Sequence, residues 1–226
     1  MAHATASTPI SVGAGSRRAR QAVTILAWSG IVVLAVGFVI KYVLFYYRHY
    51  DAASFDPYWP RRGWLFLHIN GGTLALLMGP WQFWTGLRRK SLVVHRWTGR
   101  LFLAGVAMGV TGAVGLSVTT TYGWAFAVGI MGLAAAWSIT TAMAYLTIRQ
   151  RLVDLHKEWM IRAYVVTFAF VTFRILNDYG PTSRLQPVQD RSNVISWVCW
   201  VVPLGVTEMI FQVKRLNTAL RARQAR

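Results

Sequence analysis

The sequence predicts an all-α integral membrane bundle of six crossing helices with both termini cytoplasmic. Three observations carry that prediction. The chain is 55% hydrophobic, with a mean hydropathy of +0.40 over 226 residues, which is too apolar for an ordinary soluble domain. Its apolar residues gather into six runs of about 20, the length that crosses a ~30 Å hydrocarbon core at 1.5 Å per residue. Its basic residues cluster in alternate connections between those runs.

The six predicted spans are residues 22–44, 64–84, 101–118, 124–148, 161–178 and 194–213. They divide the chain into a flexible cytoplasmic tail (1–21), a membrane domain (22–213) and a basic cytoplasmic tail (214–226). The first run is longer than the apolar core of a secretory signal. It is followed by Phe45, Tyr46, Tyr47 and Arg48, not by small residues suited to cleavage, so it reads as an uncleaved span. Before the second run, FDPYWPRRGW (55–64) reads as an interfacial loop with rings at headgroup level. In the second run Gly79-Pro80 predicts a helix end or kink, and Pro203 predicts a kink in the sixth. Gly105, Gly109, Gly112 and Gly115 mark one face of the third run, and Gly129 and Gly132 lie in the fourth. Such faces let backbones approach, so the third and fourth spans are expected to pack closely. The polar, proline-broken stretch YGPTSRLQPVQD (179–190) reads as a surface connection.

Charge sets the orientation. The chain carries 24 Lys and Arg against 7 Asp and Glu, a net charge of +17. If six spans alternate, 17 basic residues fall on the side of the termini. Six fall on the other side, and Arg174 lies within a span. The excess marks the termini as cytoplasmic in a bacterial inner membrane. Basic residues distributed this way point to anionic lipid headgroups as partners and not to nucleic acid. Cys199 is the sole cysteine, which excludes an intrachain disulfide, a CxxCH haem attachment or a cysteine metal cluster.

Ionisable groups inside an apolar span are costly and therefore mark candidate sites. Arg174 lies twelve residues past Arg162, roughly 18 Å along a helix, which puts it in the outward half of the fifth span. Asp178 follows at i+4, leaving two readings: a local ion pair, or an arginine that holds an anionic group such as a haem propionate or lipid phosphate. Glu208 sits in the inward half of the sixth span with no sequence-local partner. Of the histidines, His49 and His68 are outward, whereas His95 and His156 open the third and fifth spans on the cytoplasmic side. Two neutral imidazoles at matching depth are what a b-type haem requires. The same residues also suit a membrane interface, where amphipathic side chains anchor helices. The chain has no HExxH pair, phosphate-binding glycine loop or nucleophile elbow.

His68 with Gly72, then GPWQF (79–83), HRWTGR (95–100), the stretch from Trp137 to Ala144, HKEWMIRAY (156–164) and Arg174 occur in an order that resembles a known family. That family is the predicted bacterial multi-pass membrane proteins of domain-of-unknown-function family 2306, and the resemblance covers roughly residues 60–178. It implies that His68, Gln82, His95, Arg100, His156, Arg162 and Arg174 are characteristic polar positions. The histidines at matching depth, the arginine within a span and the charged groups at both membrane faces, more than the resemblance, raise two expected functions. One is a redox component binding b-type haem or quinone, with a redox or membrane-protein partner. In it His95 and His156 serve as iron ligands or quinone hydrogen-bond partners, and Arg100 and Arg162 neutralise anions. The other is a membrane scaffold or a carrier of small solutes or lipids, with His68, Arg174 and Glu208 lining a polar cavity.

Overall fold

A computed structural model describes residues 12–88 and 91–224. His3, Arg89, Lys90, Arg226 and residues 1–11 of the expected tail lie outside the described residues. The described residues form helices joined by short turns, with no strand among them. The elements are α1 (Val12–Phe38), a π-helical turn (Val39–Val43), α2 (Leu44–Arg48), α3 (Ala52–Phe55), a 3-10 turn (Trp59–Arg61), α4 (Arg62–Arg88) and α5 (Leu92–Val118). They continue as α6 (Trp124–Arg149), α7 (Val153–Thr167), α8 (Ala169–Asp178), a second 3-10 turn (Pro181–Arg184) and α9 (Val188–Gln224).

Five stretches are long and apolar enough to cross a membrane: Ala22–Arg48, Leu92–Val118, Trp124–Arg149, Val153–Asp178 and Val188–Gln224. The run expected as the second span is the helix α4. Its 27 residues are long enough, but His68, Asn70, Gln82 and a group of glycines dilute its hydropathy. Both expected tails are partly helical. Helix α1 starts at Val12, and α9 continues to Gln224, far past the apolar run.

The long helices run antiparallel, which gives the bundle two distinguishable ends. Arg61 donates to the Thr119 carbonyl, and Lys41 meets Asp178. These contacts gather the 49–61 segment, the α5–α6 turn and the α8–α9 turn at one end, the loop end. At the opposite end Gln82 meets α5, and Arg162 of α7 meets α9. Gly123, at φ +90°, makes the turn into α6 in a conformation that side chains disfavour.

The α5 glycines do bring backbones together, but their main partner is α4, not α6 as expected. A Cβ on Gly71 would lie 2.2 Å from the Gly109 nitrogen, and one on Gly112 would lie 2.4 Å from the His68 nitrogen. Gly129 and Gly132 of α6 face Ser196, Trp197 and Trp200 of α9 instead. With α4 pressed onto α5, α6 meets α5 through a side chain: the Trp137 ring lies over Gly109. The core is correspondingly mixed, built from Ala75, Phe102, Val106, Leu133, Trp137, Val166 and Ile195.

Helix α4 runs through Pro80 without ending. Proline offers no N–H to the carbonyl four residues earlier, which here belongs to Leu76. The Tyr164 hydroxyl donates to that carbonyl at 3.1 Å. Gly79 makes the approach possible, because a Cβ there would lie 2.0 Å from the Tyr164 ring. One short motif thus creates an orphaned acceptor and the gap through which α7 satisfies it.

Candidate functional site

The polar positions picked out in the sequence separate into two groups at the two ends of the bundle. At the termini end, Gln82 donates to the His95 carbonyl (2.7 Å) and lies 2.6 Å from Thr98 Oγ1. The imidazole of His95 lies 3.0 Å from Thr85 Oγ1, whose own proton points to the Trp81 carbonyl. His156 bonds through Nδ1 to the Ala144 carbonyl at 2.7 Å, tying α7 to α6. A carbonyl only accepts, so Nδ1 of His156 carries the proton and Nε2 keeps its lone pair. Both imidazoles sit at the termini end, one on α5 and the other on α7.

Arg162 is buried, and its guanidinium makes a two-point contact with Glu208, including 3.1 Å to Oε2. Glu158 lies 3.6 Å from the same group, and the rings of Trp159 and Phe211 sandwich it at 4.6 Å each. Arg215 then pairs with Glu158. Arg162 is 46 positions from Glu208, so no local pattern reveals it as the partner. Arg162 is held inside this network, and Glu208 does not line the cavity described below. Arg100 lies exposed over the Trp97 ring at 4.8 Å.

His68 and Arg174 come together at the loop end. Nδ1 of His68 donates to the Gly109 carbonyl at 2.9 Å, and the ring meets Phe170 edge-on with centroids 4.7 Å apart. His49, the other outward histidine, is exposed, stacks on Phe45 and bonds its own helix, so it is no partner for His68.

Asp178 does not pair with Arg174 in the expected i+4 manner. It accepts from the Tyr42 hydroxyl and from Asn177, and lies 3.6 Å from Lys41. The two residues that take the place of Arg174 belong to the π-helical turn. It carries Lys41 and Tyr42 onto the end of α8, where Lys41 also meets the Tyr179 hydroxyl. Among the described residues Arg174 is left with a ring contact to Tyr42 (5.4 Å) and no hydrogen bond or ion pair.

Arg174 and His68 line a cavity of about 420 Å³. Its depth is apolar, formed by Leu76, Ala113, Leu133, Ala134, Trp137 and Phe170, and its rim carries tyrosines, Asn177, Asp56 and Arg191. The 49–61 segment helps close the rim. It is held by Arg61, which is buried and bonded across to the α5–α6 turn. Burial pushes the phenol of Tyr58, within that segment, up to about 12, so it remains a neutral donor at physiological pH. Two more polar atoms of the lining residues are buried without partners, Ser117 Oγ and Arg191 Nε. A membrane protein seldom leaves such donors unmatched, so the wall is chemically unfinished.

Sequence reasoning singled out His68 and Arg174 but missed Tyr42, Tyr58, Ser117 and Arg191. Arg191 is one of the six basic residues that the charge count puts on the side opposite the termini. The signal that could have found Tyr42 is a lysine and tyrosine at the end of an otherwise apolar first span. Among the described residues no three His, Cys, Asp or Glu side chains group as a metal site.

No curated protein and no solved structure matches the chain. A family model described as "Predicted membrane protein (DUF2306)" matches residues 65–211. That range extends the resemblance read from the motifs past Asp178 and through most of the apolar part of α9. The chain belongs to this family of multi-pass helical membrane proteins.

Proposed function

For this member of the family, we propose a binding or carrier function: the loop-end cavity takes up an amphiphilic small molecule from the bilayer. The cavity itself carries the reading, because it joins an apolar depth to a polar wall in which Ser117 Oγ and Arg191 Nε are buried without partners and Arg174 has no hydrogen bond or ion pair among the described residues. A volume of about 420 Å³ suits a small ligand or part of a lipid chain. We further read α4 as a sixth crossing helix, with the termini on the cytoplasmic face of a bacterial inner membrane. The basic excess at the termini end supports that orientation.

Native mass spectrometry of the purified protein tests this. We expect a bound amphiphile at one per chain, lost on Ala113→Phe or Ala134→Phe, each of which fills the cavity with a ring. Occupancy that is indifferent to both substitutions in folded protein would sink the proposal.

A second reading, a redox component that binds b-type haem or quinone at the termini end, is favoured by one observation. The Nδ1 atoms of His95 and His156, at the same end of the bundle, are both engaged, which leaves each Nε2 for a ligand. A visible spectrum after haem supplementation decides the haem version: a Soret band abolished by His156→Ala supports it, and a colourless protein removes it.

A further inference from the structure

We infer that the ligand of the loop-end cavity carries an anionic head, a carboxylate or phosphate, held between Arg174 and Arg191 with its apolar chain directed toward Trp137. This rests on the cavity reading above and adds the charge of the ligand to it.

Arg174 lies near the loop end of α8. An arginine near the end of a membrane helix ordinarily finds a counter-ion, and Asp178 stands one turn away on the same face. The fold diverts that carboxylate to Lys41 and Tyr42 through the π-helical turn in the first helix. The guanidinium left behind borders the cavity. On the facing helix, Arg191 is oriented by a bond from one terminal nitrogen to the Ser183 carbonyl (2.9 Å), while its buried Nε has no partner. Ser117 adds a buried hydroxyl without a partner on the same wall.

Against these donors the lining offers one carboxylate, Asp56, and it forms no ion pair with either arginine among the described residues. Two guanidiniums with open donors call for a planar or tetrahedral oxyanion, which they can contact at two points each. The polarity is graded along the bundle. Arg174 and Arg191 flank the α8–α9 turn, whereas Leu133, Ala134 and Trp137 lie deeper along α6. An amphiphile would therefore sit head toward the loop end, as a lipid of that leaflet does. Proteins commonly break helical hydrogen bonding with a π-helical turn where a site is built, and here Tyr42 and Val43 of that turn line the cavity.

The experiment compares probes on the full-length protein in a neutral detergent. Oleate, oleyl alcohol, dioleoyl phosphatidate and inorganic phosphate are titrated against wild type, Arg174→Gln, Arg191→Gln and Ala134→Phe, with thermal unfolding confirming that each variant is folded. We expect oleate or phosphatidate to bind at least about tenfold tighter than oleyl alcohol. Either arginine substitution should abolish that preference while leaving alcohol binding in place. If Arg174→Gln does not fold, Arg191→Gln carries the test alone. Equal binding of oleate and oleyl alcohol, both lost in Ala134→Phe, would overturn the anionic head and leave the cavity reading intact. Binding of every probe unaffected by Ala134→Phe would overturn the cavity reading as well. Inorganic phosphate competing as well as phosphatidate would support the anion site with a soluble source, and weak competition would identify a lipid.

Discussion

Tyr164, Arg162 and Arg174 show how differently three polar residues of α7 and α8 are used. Tyr164 replaces the N–H that Pro80 lacks, so Tyr164→Phe should strand the Leu76 carbonyl and destabilise the protein by about 1–3 kcal/mol. The cost should shrink in a Pro80→Ala background, where the backbone supplies the missing donor; a double-mutant cycle of unfolding in detergent measures it. Arg162 is buried and paired, and Glu208 is partly exposed, so Glu208→Gln should cost only about 1 kcal/mol. Arg162→Met should not add to it fully, because both changes break the same contact. Of these relations the sequence displayed only fragments. Pro80 inside an apolar run announces a carbonyl in need, but not that a hydroxyl 88 positions away would meet it. Asp178 at i+4 from Arg174 reads as a pair, and only the tertiary position of Lys41 shows that it is not.

Helix existence was legible wherever apolar runs were long, while helix pairing was not. Glycines at three- and four-residue spacing mark a close-packing face without naming what packs there. The α5 face turned out to meet α4, where Gly71 completes the approach. Gly112→Leu should therefore wedge α4 from α5 at the level of His68, with loss of folded protein by size-exclusion chromatography. Gly205→Leu, with open space where its Cβ would be, should be tolerated. The family motifs gain a structural meaning here. Gln82 ties GPWQF to HRWTGR, Tyr164 ties HKEWMIRAY to GPWQF, and His156 ties it to α6. Much of what reads in the sequence as a pair of histidines at matching depth fastens helix to helix.

Taken whole, the molecule has a charge-locked termini end and a chemically open loop end. Burial and hydrogen bonding satisfy the first, whereas the open Nε of Arg191, the unpartnered Ser117 hydroxyl and an Arg174 without hydrogen bond or ion pair among the described residues characterise the second. Its insertion can be checked by labelling single cysteines in a Cys199→Ser background with an impermeant thiol reagent on intact cells. Ser183→Cys should react and Thr218→Cys should react only after lysis; the reverse pattern would invert the bundle. The claim that a ligand occupies the loop end is tested most directly by mapping a photoactivatable fatty acid onto the protein in membranes. Adducts are expected on peptides that line the cavity, around residues 113–137 and 169–174, and oleate should compete them away. Adducts confined to the exposed faces of α1 and the α9 segment near Met209 would contradict it.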